Sequence, residues 1–204
     1  MPGRRKRKQK HLPLEQELHQ QGLIHIAGID EVGRGCLAGP VFAGAVVLPP
    51  GLKIPGVDDS KKLTPKIREQ LFWEITGQAI AWSVGSATPE EIDSINIHHA
   101  SLLAMRRAIE GLSLLPDYLL VDGLFPVPIA IRQQPIVKGD ARVQLIAAAS
   151  IVAKVSRDHW MEQLALEHPG YGFERHKGYG TDQHRQAIRK LGPTPLHRRS
   201  FRLF

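Results

Sequence analysis

Short apolar runs bounded by glycine, proline and polar residues form the first pattern along this chain. The runs from His25 to Asp30, from Val41 to Leu48 and from Ala79 to Ser86 predict three strands. Because only a tight glycine-rich link joins the first two runs, we expect those strands to be antiparallel neighbours. A fourth run, Tyr118 to Val121, is followed directly by Asp122, which is typical of a buried strand with a carboxylate at its C-terminal end.

Segments with helical spacing lie between and after these runs. Thr64-Pro65 and Thr88-Pro89 each combine an N-cap residue with a proline at the first helical position, which predicts two helix starts. Longer helices are predicted from Asn96 to Glu110 and from Ala141 to about Leu166. An irregular strand from Ile129 to Val137 lies between them. This order predicts an α/β protein with a mixed central sheet flanked by helices and a helical C-terminal region.

Composition and charge narrow the class of protein. The chain has 204 residues, of which 42% are hydrophobic, enough for a substantial core. Its formal net charge of +7 favours a polyanionic partner over an acidic one. The single cysteine, Cys36, excludes an internal disulfide and a cysteine-rich zinc site, so we expect a cytoplasmic location. No apolar run approaches the length of a membrane span, and we expect no membrane partner.

The first twelve residues differ in composition from the rest of the chain. They contain the run Arg4-Arg5-Lys6-Arg7-Lys8, which predicts that residues 1–12 form a basic, disordered arm. Two interpretations of this arm stay open, namely contact with phosphates or a solvated tail. No internal repeat and no second domain is visible, so residues 13–204 are predicted to form a single domain.

Four acidic residues stand at the ends of predicted apolar elements: Asp30, Glu31, Asp122 and Asp140. Neighbouring strands lie about 4.8 Å apart, so Asp30 and Asp122 at the ends of two strands can share a cation. Asp140 precedes a helix and has an alternative interpretation as its N-cap. An isolated carboxylate is costly to bury, and a cluster of carboxylates next to apolar strands therefore indicates a cation.

Glu31 follows Asp30 directly, and side chains of successive strand residues point to opposite faces. Both reach one site only if the strand ends or bulges here, which Gly33 and Gly35 make plausible. The alternative is a surface carboxylate at a turn. A cluster of oxygen ligands alone suits Mg²⁺ or Mn²⁺ and does not suit zinc. Two such ions about 3.5–4 Å apart would stabilise the attacking and leaving oxygens of a phosphoryl displacement.

Six blocks of sequence resemble ribonuclease HII, the bacterial type 2 ribonuclease H, in an order and spacing that match from about Ile24 to Phe201. The blocks are Ile29-Asp30-Glu31-Val32-Gly33-Arg34-Gly35, Asp59-Ser60-Lys61-Lys62-Leu63, Val121-Asp122-Gly123, Lys138-Gly139-Asp140, Ala147-Ala148-Ala149-Ser150-Ile151-Val152-Ala153-Lys154-Val155 and His176-Lys177-Gly178-Tyr179-Gly180-Thr181.

This resemblance implies a ribonuclease H-like fold and a metal-dependent endonuclease. The expected reactions are cleavage of RNA paired to DNA and incision at single ribonucleotides in duplex DNA, which leave 5′-phosphate and 3′-hydroxyl ends. The resemblance also implies that the catalytic and metal-binding acids are Asp30, Glu31, Asp122 and Asp140, holding two Mn²⁺ or Mg²⁺ ions. The predicted partner is nucleic acid, an RNA-DNA hybrid or a duplex with embedded ribonucleotides, and we expect a monomer.

The resemblance further implies a surface that recognises the substrate sugar. Gly33, Arg34 and Gly35 would recognise the 2′-hydroxyl, and Tyr179 would stack at the junction. The 2′-hydroxyl is what distinguishes a ribonucleotide from its deoxy counterpart, and glycine lets the backbone approach a sugar closely. For Lys61, a contact with a backbone phosphate and a solvated side chain stay equally open.

Other residues near these blocks are predicted to be structural. We expect Ser150 and Lys154 to serve packing and helix ends, although they lie one helical turn apart on one face. Cys36 is expected to be a small buried side chain, and the adjacent pair His98-His99 is not spaced as a helical metal site. Two rival functions remain, a nuclease of similar fold that does not need a ribose and a nucleic-acid binder without catalysis.

Overall fold

The computed structural model describes residues 14–57 and 63–204. The helices are α1 (Leu14–Gln20), α2 (Pro65–Gln78), α3 (Pro89–Glu110), α4 (Gln144–Glu167), α5 (Phe173–His176) and α6 (Asp182–Leu191). The strands are β1 (Ile26–Val32), β2 (Val41–Val47), β3 (Ala81–Ala87), β4 (Tyr118–Asp122) and β5 (Gln133–Ile136). The predictions for the basic arm and for Lys61 lie outside the described residues. Along the described ranges, no helix combines the length and the apolar character needed to cross a membrane.

The five strands form one mixed sheet in the order β3-β2-β1-β4-β5. β1 pairs antiparallel with β2, as the short link between them predicted, and β2 pairs antiparallel with β3. β4 and β5 add in parallel on the other side of β1. The mixed sheet flanked by helices is therefore confirmed. β5 is shorter than predicted, because the Gln133 side chain bonds the main chain of Val127 and holds the preceding residues in a loop.

Two apolar layers cover the sheet, and strand alternation decides which side chain enters which layer. Ile26 and Leu120 pack with α2 and α4 on one face, whereas Ile29 and Val121 pack with α3 on the other. The backbone of α4 comes very close to β1, because a Cβ placed on Gly28 would overlap the main chain of α4. This close approach brings the first two turns of α4, which include Ser150, next to Asp30 in β1.

Helix α3 begins at the predicted capping box and is kinked at Asn96. Thr88 N donates to Glu91 Oε2 at 2.9 Å, and Glu91 N donates to Thr88 Oγ1 at 3.3 Å, so the box is confirmed. Asn96 has φ 65° and ψ 165°, and its Oδ1 accepts the main-chain N–H of His98 at 2.9 Å. The predicted helix from Asn96 is thus the second part of α3, capped by that side chain.

The C-terminal third adds a small apolar cluster of its own. Met161 and Leu164 of α4 pack there with Tyr171 and Phe173, and Leu196 packs against them. The long alanine-rich helix is confirmed from Gln144 to Glu167. A single 3₁₀ turn, Gly139–Ala141, precedes it and follows β5.

Candidate active site

The parallel pairing of β1 and β4 brings two acids together. Ile29 lies opposite Val121, so the next residues along the two strands, Asp30 and Asp122, are neighbours, at the end of β4 and two residues before the end of β1. By strand alternation both belong to the face that α4 covers. Asp30 is only 4% exposed, and its Oδ1 accepts the main-chain N–H of Glu31 at 2.8 Å. The Ser150 hydroxyl of α4 also hydrogen-bonds to Asp30.

Asp140 joins this pair from the 3₁₀ turn that follows β5. Gly139 N donates to Asp122 Oδ1 at 2.6 Å, which ties the turn to the end of β4. Asp140 is buried, and the N-cap position of α4 is occupied by Val143, whose side chain makes no cap. The alternative interpretation of Asp140 as the helix cap is therefore wrong. The turn instead places Asp140 close enough to Asp30 to interact with it electrostatically.

Glu31 lies on the other face of β1 from Asp30, because the strand continues without a bulge to Val32. Its Oε1 accepts a hydrogen bond from Arg34 Nη1 at 3.1 Å. Burial raises the pKa of Glu31 despite the neighbouring Arg34 guanidinium, which lowers it, and the Asp122 carboxylate raises that pKa further. Glu31 is thus at the edge of the acid cluster and paired with the arginine of the next turn.

The electrostatics of the cluster are unfavourable without a cation. Burial raises the pKa of Asp30 well above its ordinary value, and Glu31, Asp122 and Asp140 raise it further. The Ser150 hydrogen bond acts in the opposite direction and does not compensate. A bound divalent cation would relieve this repulsion, and carboxylate oxygens are the ligands that Mg²⁺ and Mn²⁺ prefer.

The side chains do not yet converge on one metal position. Across residues 14–57 and 63–204, no three His, Cys, Asp or Glu side chains form a group that would hold an ion as they stand. Glu31 is directed to Arg34, and Asp122 accepts the Gly139 N–H. The donor chemistry and the charge of the cluster fit a hard cation, and binding one would require side-chain rotation, above all of Glu31.

The Gly33–Gly35 turn follows β1 directly. Gly33 has φ +91°, and a Cβ there would overlap the Arg157 side chain, so both its conformation and its surroundings require glycine. Gly35 faces open space, with no atom near the position of a Cβ. Arg34 is exposed as well, with 46% of its side chain accessible. The turn therefore presents open main chain and one cation beside the acids.

Tyr179 lies next to this turn although 140 and more residues separate them in sequence. Its main chain bridges to Cys36, which is fully buried as predicted. The residue is 38% exposed, with Lys154 Nζ 5.8 Å and the Arg157 guanidinium carbon 6.0 Å from the ring centre. Burial raises the pKa of the Tyr179 phenol, so the side chain is neutral at physiological pH. A half-exposed aromatic ring with cations behind it is suited to contact a sugar or base.

Several residues of the site were missed or assigned to packing by the sequence interpretation. Ser150 contacts Asp30, and Lys154 lies near Tyr179 while its Nζ binds Asp158 at 2.6 Å. Their spacing of four residues on one helix face was a usable signal once α4 was known to cover the strand ends. Arg157 is wholly buried, and its guanidinium donates to Ala38 O, after the glycine turn, and to Lys177 O, shortly before Tyr179. The sequence offers no local signal for these two hydrogen bonds.

Comparison with known proteins is consistent with this geometry. A family model described as Ribonuclease HII matches residues 27–204. The chain is 56% identical over 188 residues to Ribonuclease HII of Geobacter sulfurreducens, covering 92% of this chain and 87% of that protein. It is 53% identical over 191 residues to Ribonuclease HII of Syntrophotalea carbinolica, covering 94% of this chain and 91% of that protein. The crystal structure of ribonuclease H2 from Pyrococcus horikoshii superposes with a TM-score of 0.74 at 28% identity, covering 88% of this chain and 95% of that one.

Proposed function

The chain belongs to the ribonuclease HII family, and from this premise we propose that it is a metal-dependent endonuclease acting on RNA paired to DNA. The proposal includes incision at a single ribonucleotide within duplex DNA, leaving 5′-phosphate and 3′-hydroxyl ends. We further propose that residues 13–204 act as one catalytic domain, because a single sheet carries both apolar layers.

The observation that carries the proposal is the cluster of acids beside an open glycine turn. Asp122 ends β4 and lies beside Asp30, near the C-terminal end of the parallel strand β1, and Asp140 approaches them from the turn held by Asp122. Such a cluster repels a phosphate unless cations intervene, so a binder without catalysis has no use for it. Mg²⁺ or Mn²⁺ ions bound there, two in number, would supply an activated water and stabilise the departing oxygen.

The protein groups have distinct tasks in this proposal. Asp30, Asp122 and Asp140 supply oxygen ligands, and Ser150 orients the Asp30 carboxylate through its hydroxyl. Glu31 completes the set after it rotates away from Arg34, which frees the guanidinium to bind a substrate phosphate. Cation binding and phosphate binding are therefore expected to support each other at this position.

Recognition of ribose falls to the neighbouring loops. The main chain of Gly33, Arg34 and Gly35 can approach the 2′-hydroxyl, because Gly35 has open space in front of it. Tyr179 lies across from the turn and offers a half-exposed ring to the adjacent sugar. Lys61 stays a proposed phosphate contact on the strength of the sequence alone. A nuclease that acts only on DNA has no need of such a surface.

The direct test uses two labelled duplexes that differ by one 2′-hydroxyl. With Mg²⁺ or Mn²⁺, we expect cleavage at the ribonucleotide of the first duplex and none of its all-deoxy twin, and we expect neither to be cut in EDTA. Mapping the ends identifies the 5′-phosphate and 3′-hydroxyl. Equal cleavage of both duplexes would instead indicate a nuclease that does not recognise the 2′-hydroxyl of the ribose.

The role of Asp122 is tested by Asp122→Asn, with Asp117→Asn as the matched control. Asp117 lies just before β4, at the opposite end of that strand from Asp122. Its Oδ2 accepts the main-chain N–H groups of Ile24 and His25. We expect Asp122→Asn to abolish turnover in Mg²⁺ while duplex binding persists, and Asp117→Asn to keep its turnover. Substantial turnover by Asp122→Asn would contradict the assigned role.

A further inference from the structure

Three segments that are far apart in sequence meet beside Tyr179. They are the turn of residues 33–39, the loop of residues 176–180 and residues 194–201, which we name the C-terminal strap. Leu37 N donates to Gly178 O at 2.8 Å, and Arg198 N donates to Leu37 O at 2.9 Å. The strap thus pairs with the turn of residues 33–39, which itself pairs with the loop that carries Tyr179.

The side chain of Arg198 reaches from the strap into the glycine turn. Its Nη2 donates to Gly33 O at 2.7 Å, and its Nη1 donates to Arg34 O at 2.8 Å. Nε and Nη2 also donate to Gly39 O, at 3.0 and 2.9 Å. The guanidinium is fully buried, and burial lowers the pKa of Arg198 to about 10, so it stays charged at neutral pH.

The partners of Arg198 are unusual for a buried cation. Among the described residues, no carboxylate lies within ion-pair distance of it. Its charge is balanced instead by the carbonyls of the turn, which a planar fork can bind together and a lysine ammonium cannot. A buried guanidinium without these partners would be costly, so the turn is held in the conformation that presents its carbonyls to Arg198.

His197, one residue earlier, reaches Tyr179 through a second histidine. Thr194 N donates to His197 Nδ1 at 2.9 Å, so in the neutral ring the proton lies on Nε2. That Nε2 donates to His184 Nε2 at 3.1 Å, and His184 Nδ1 donates to Tyr179 O at 2.9 Å. We name this chain of hydrogen bonds, from Thr194 through His197 and His184 to Tyr179, the relay. Main-chain groups at its two ends fix the tautomers of both histidines, and each ring nitrogen takes part in a hydrogen bond.

The surroundings keep the relay neutral. The His176 ring stacks on His184 at 4.3 Å, accepts the Gly178 N–H at Nδ1 and donates from Nε2 to Tyr171 O. Burial lowers the pKa of His184 to about 4 and lowers the pKa values of His176 and His197 as well. All three rings are therefore uncharged at neutral pH, in the hydrogen-bonding pattern that holds the loop.

We propose that the strap residues His197 and Arg198 are positioning residues for ribose recognition. Arg198 holds the Gly33–Gly35 turn, and His197 holds Tyr179 through His184. Neither side chain needs to touch the substrate. This inference rests on the proposed function, because it explains how the two sugar-reading loops are kept at a fixed separation. It predicts that the strap sets the preference for ribose and leaves general affinity for a duplex unchanged.

The first test compares Arg198→Lys with Arg199→Lys, its exposed neighbour. Dissociation constants are measured in EDTA, by fluorescence anisotropy, for the duplex with one ribonucleotide and for its all-deoxy twin. We expect Arg198→Lys to reduce the ratio of the two constants by about tenfold, as the loss of charge-assisted hydrogen bonds implies. Arg199→Lys should keep the ratio of the unmodified protein. Equal weakening of both duplexes by Arg198→Lys would show a merely structural role and overturn the inference.

The second test separates the two nitrogens of His197. A Gln side chain can place its amide nitrogen near the position of Nε2, and an Asn side chain can place its carbonyl near Nδ1. We therefore expect His197→Gln to keep the bond to His184 and the ribose preference, and His197→Asn to lose both. The inference fails if the two variants have the same preference. Because these variants do not depend on Arg198→Lys, the test stands even if that variant does not fold.

A third measurement does not depend on substrate. The protein is labelled with 3-fluorotyrosine, and the ¹⁹F resonance of Tyr179 is assigned by its absence in Tyr179→Phe. We expect His197→Asn to shift or broaden this resonance and to leave that of Tyr118 in place, with no change in Arg199→Lys. An unchanged Tyr179 resonance in His197→Asn overturns the relay. If the unmodified protein cleaves both duplexes equally in Mg²⁺ or Mn²⁺, the proposed function fails, and the ¹⁹F result still decides whether the strap positions Tyr179.

Discussion

Neutralising Asp30 should stabilise the metal-free protein while it destroys the metal site. Asp30, near the C-terminal end of β1, lies beside Asp122 at the end of β4, and the strand spacing of about 4.8 Å puts the two carboxylates about 5 Å apart. At an effective dielectric constant near 20, two full charges at that distance repel by about 3 kcal/mol. Because the raised pKa of Asp30 favours its neutral form, which lowers this repulsion, the gain from Asp30→Asn is less, about 1–2 kcal/mol.

The assay is thermal unfolding followed by circular dichroism at neutral pH. For a chain of this length, 1 kcal/mol corresponds to about 2–4 °C in Tm, so Asp30→Asn should unfold roughly 2–8 °C higher in EDTA. The amide oxygen can still accept the Glu31 N–H, which keeps the local hydrogen bond. Added Mn²⁺ should raise the Tm of the unmodified protein by mass action and leave that of Asp30→Asn nearly unchanged.

The control is a carboxylate in the opposite situation. Asp117 accepts the main-chain N–H groups of Ile24 and His25, which lower its pKa, so Asp117→Asn should lower Tm in both conditions. The reasoning is refuted if Asp30→Asn unfolds at a lower temperature than the unmodified protein in EDTA. It is also refuted if Mn²⁺ stabilises the two proteins equally.

Three further predictions concern the frame around the site. Gly28→Ala should cost about 1–3 kcal/mol in urea unfolding, because its Cβ overlaps the Leu145 main chain, whereas Gly77→Ala, in open helical space, should stabilise by up to about 1 kcal/mol; similar effects of both would contradict the packing argument. The His184 pKa of about 4 lies below its ordinary 6.5, so the unfolded state binds more protons between these values and stability should fall as pH falls from about 6.5 to 4. This prediction is contradicted if Tm does not change between these pH values, or if a variant without His184 loses stability over the same range to the same extent. Thr88→Ala should cost about 1 kcal/mol through loss of the capping box, and an unchanged Tm would contradict the cap.

Local sequence patterns accounted for most of the sheet and for the helix starts. The antiparallel pairing of β1 and β2 followed from a link too short for a crossover, and the capping box at Thr88 depended on residues three positions apart. β5 was overestimated, because the Gln133 side chain captures the preceding main chain in a loop. No periodicity encodes a contact of that kind.

For the site, the sequence determined which residues have the right chemistry, and the tertiary structure decided their arrangement. The end of β4 at Asp122 follows from run length, a local property, whereas β1 continues past its predicted end at Asp30 to Val32. That Asp140 lies in the acid cluster and does not cap α4, and that Arg198 holds the glycine turn, depend on packing. Arg198 and Gly33 are 165 positions apart, and the bond between them exists because the folded chain encloses both away from water, where an unpaired guanidinium or carbonyl is too costly to leave.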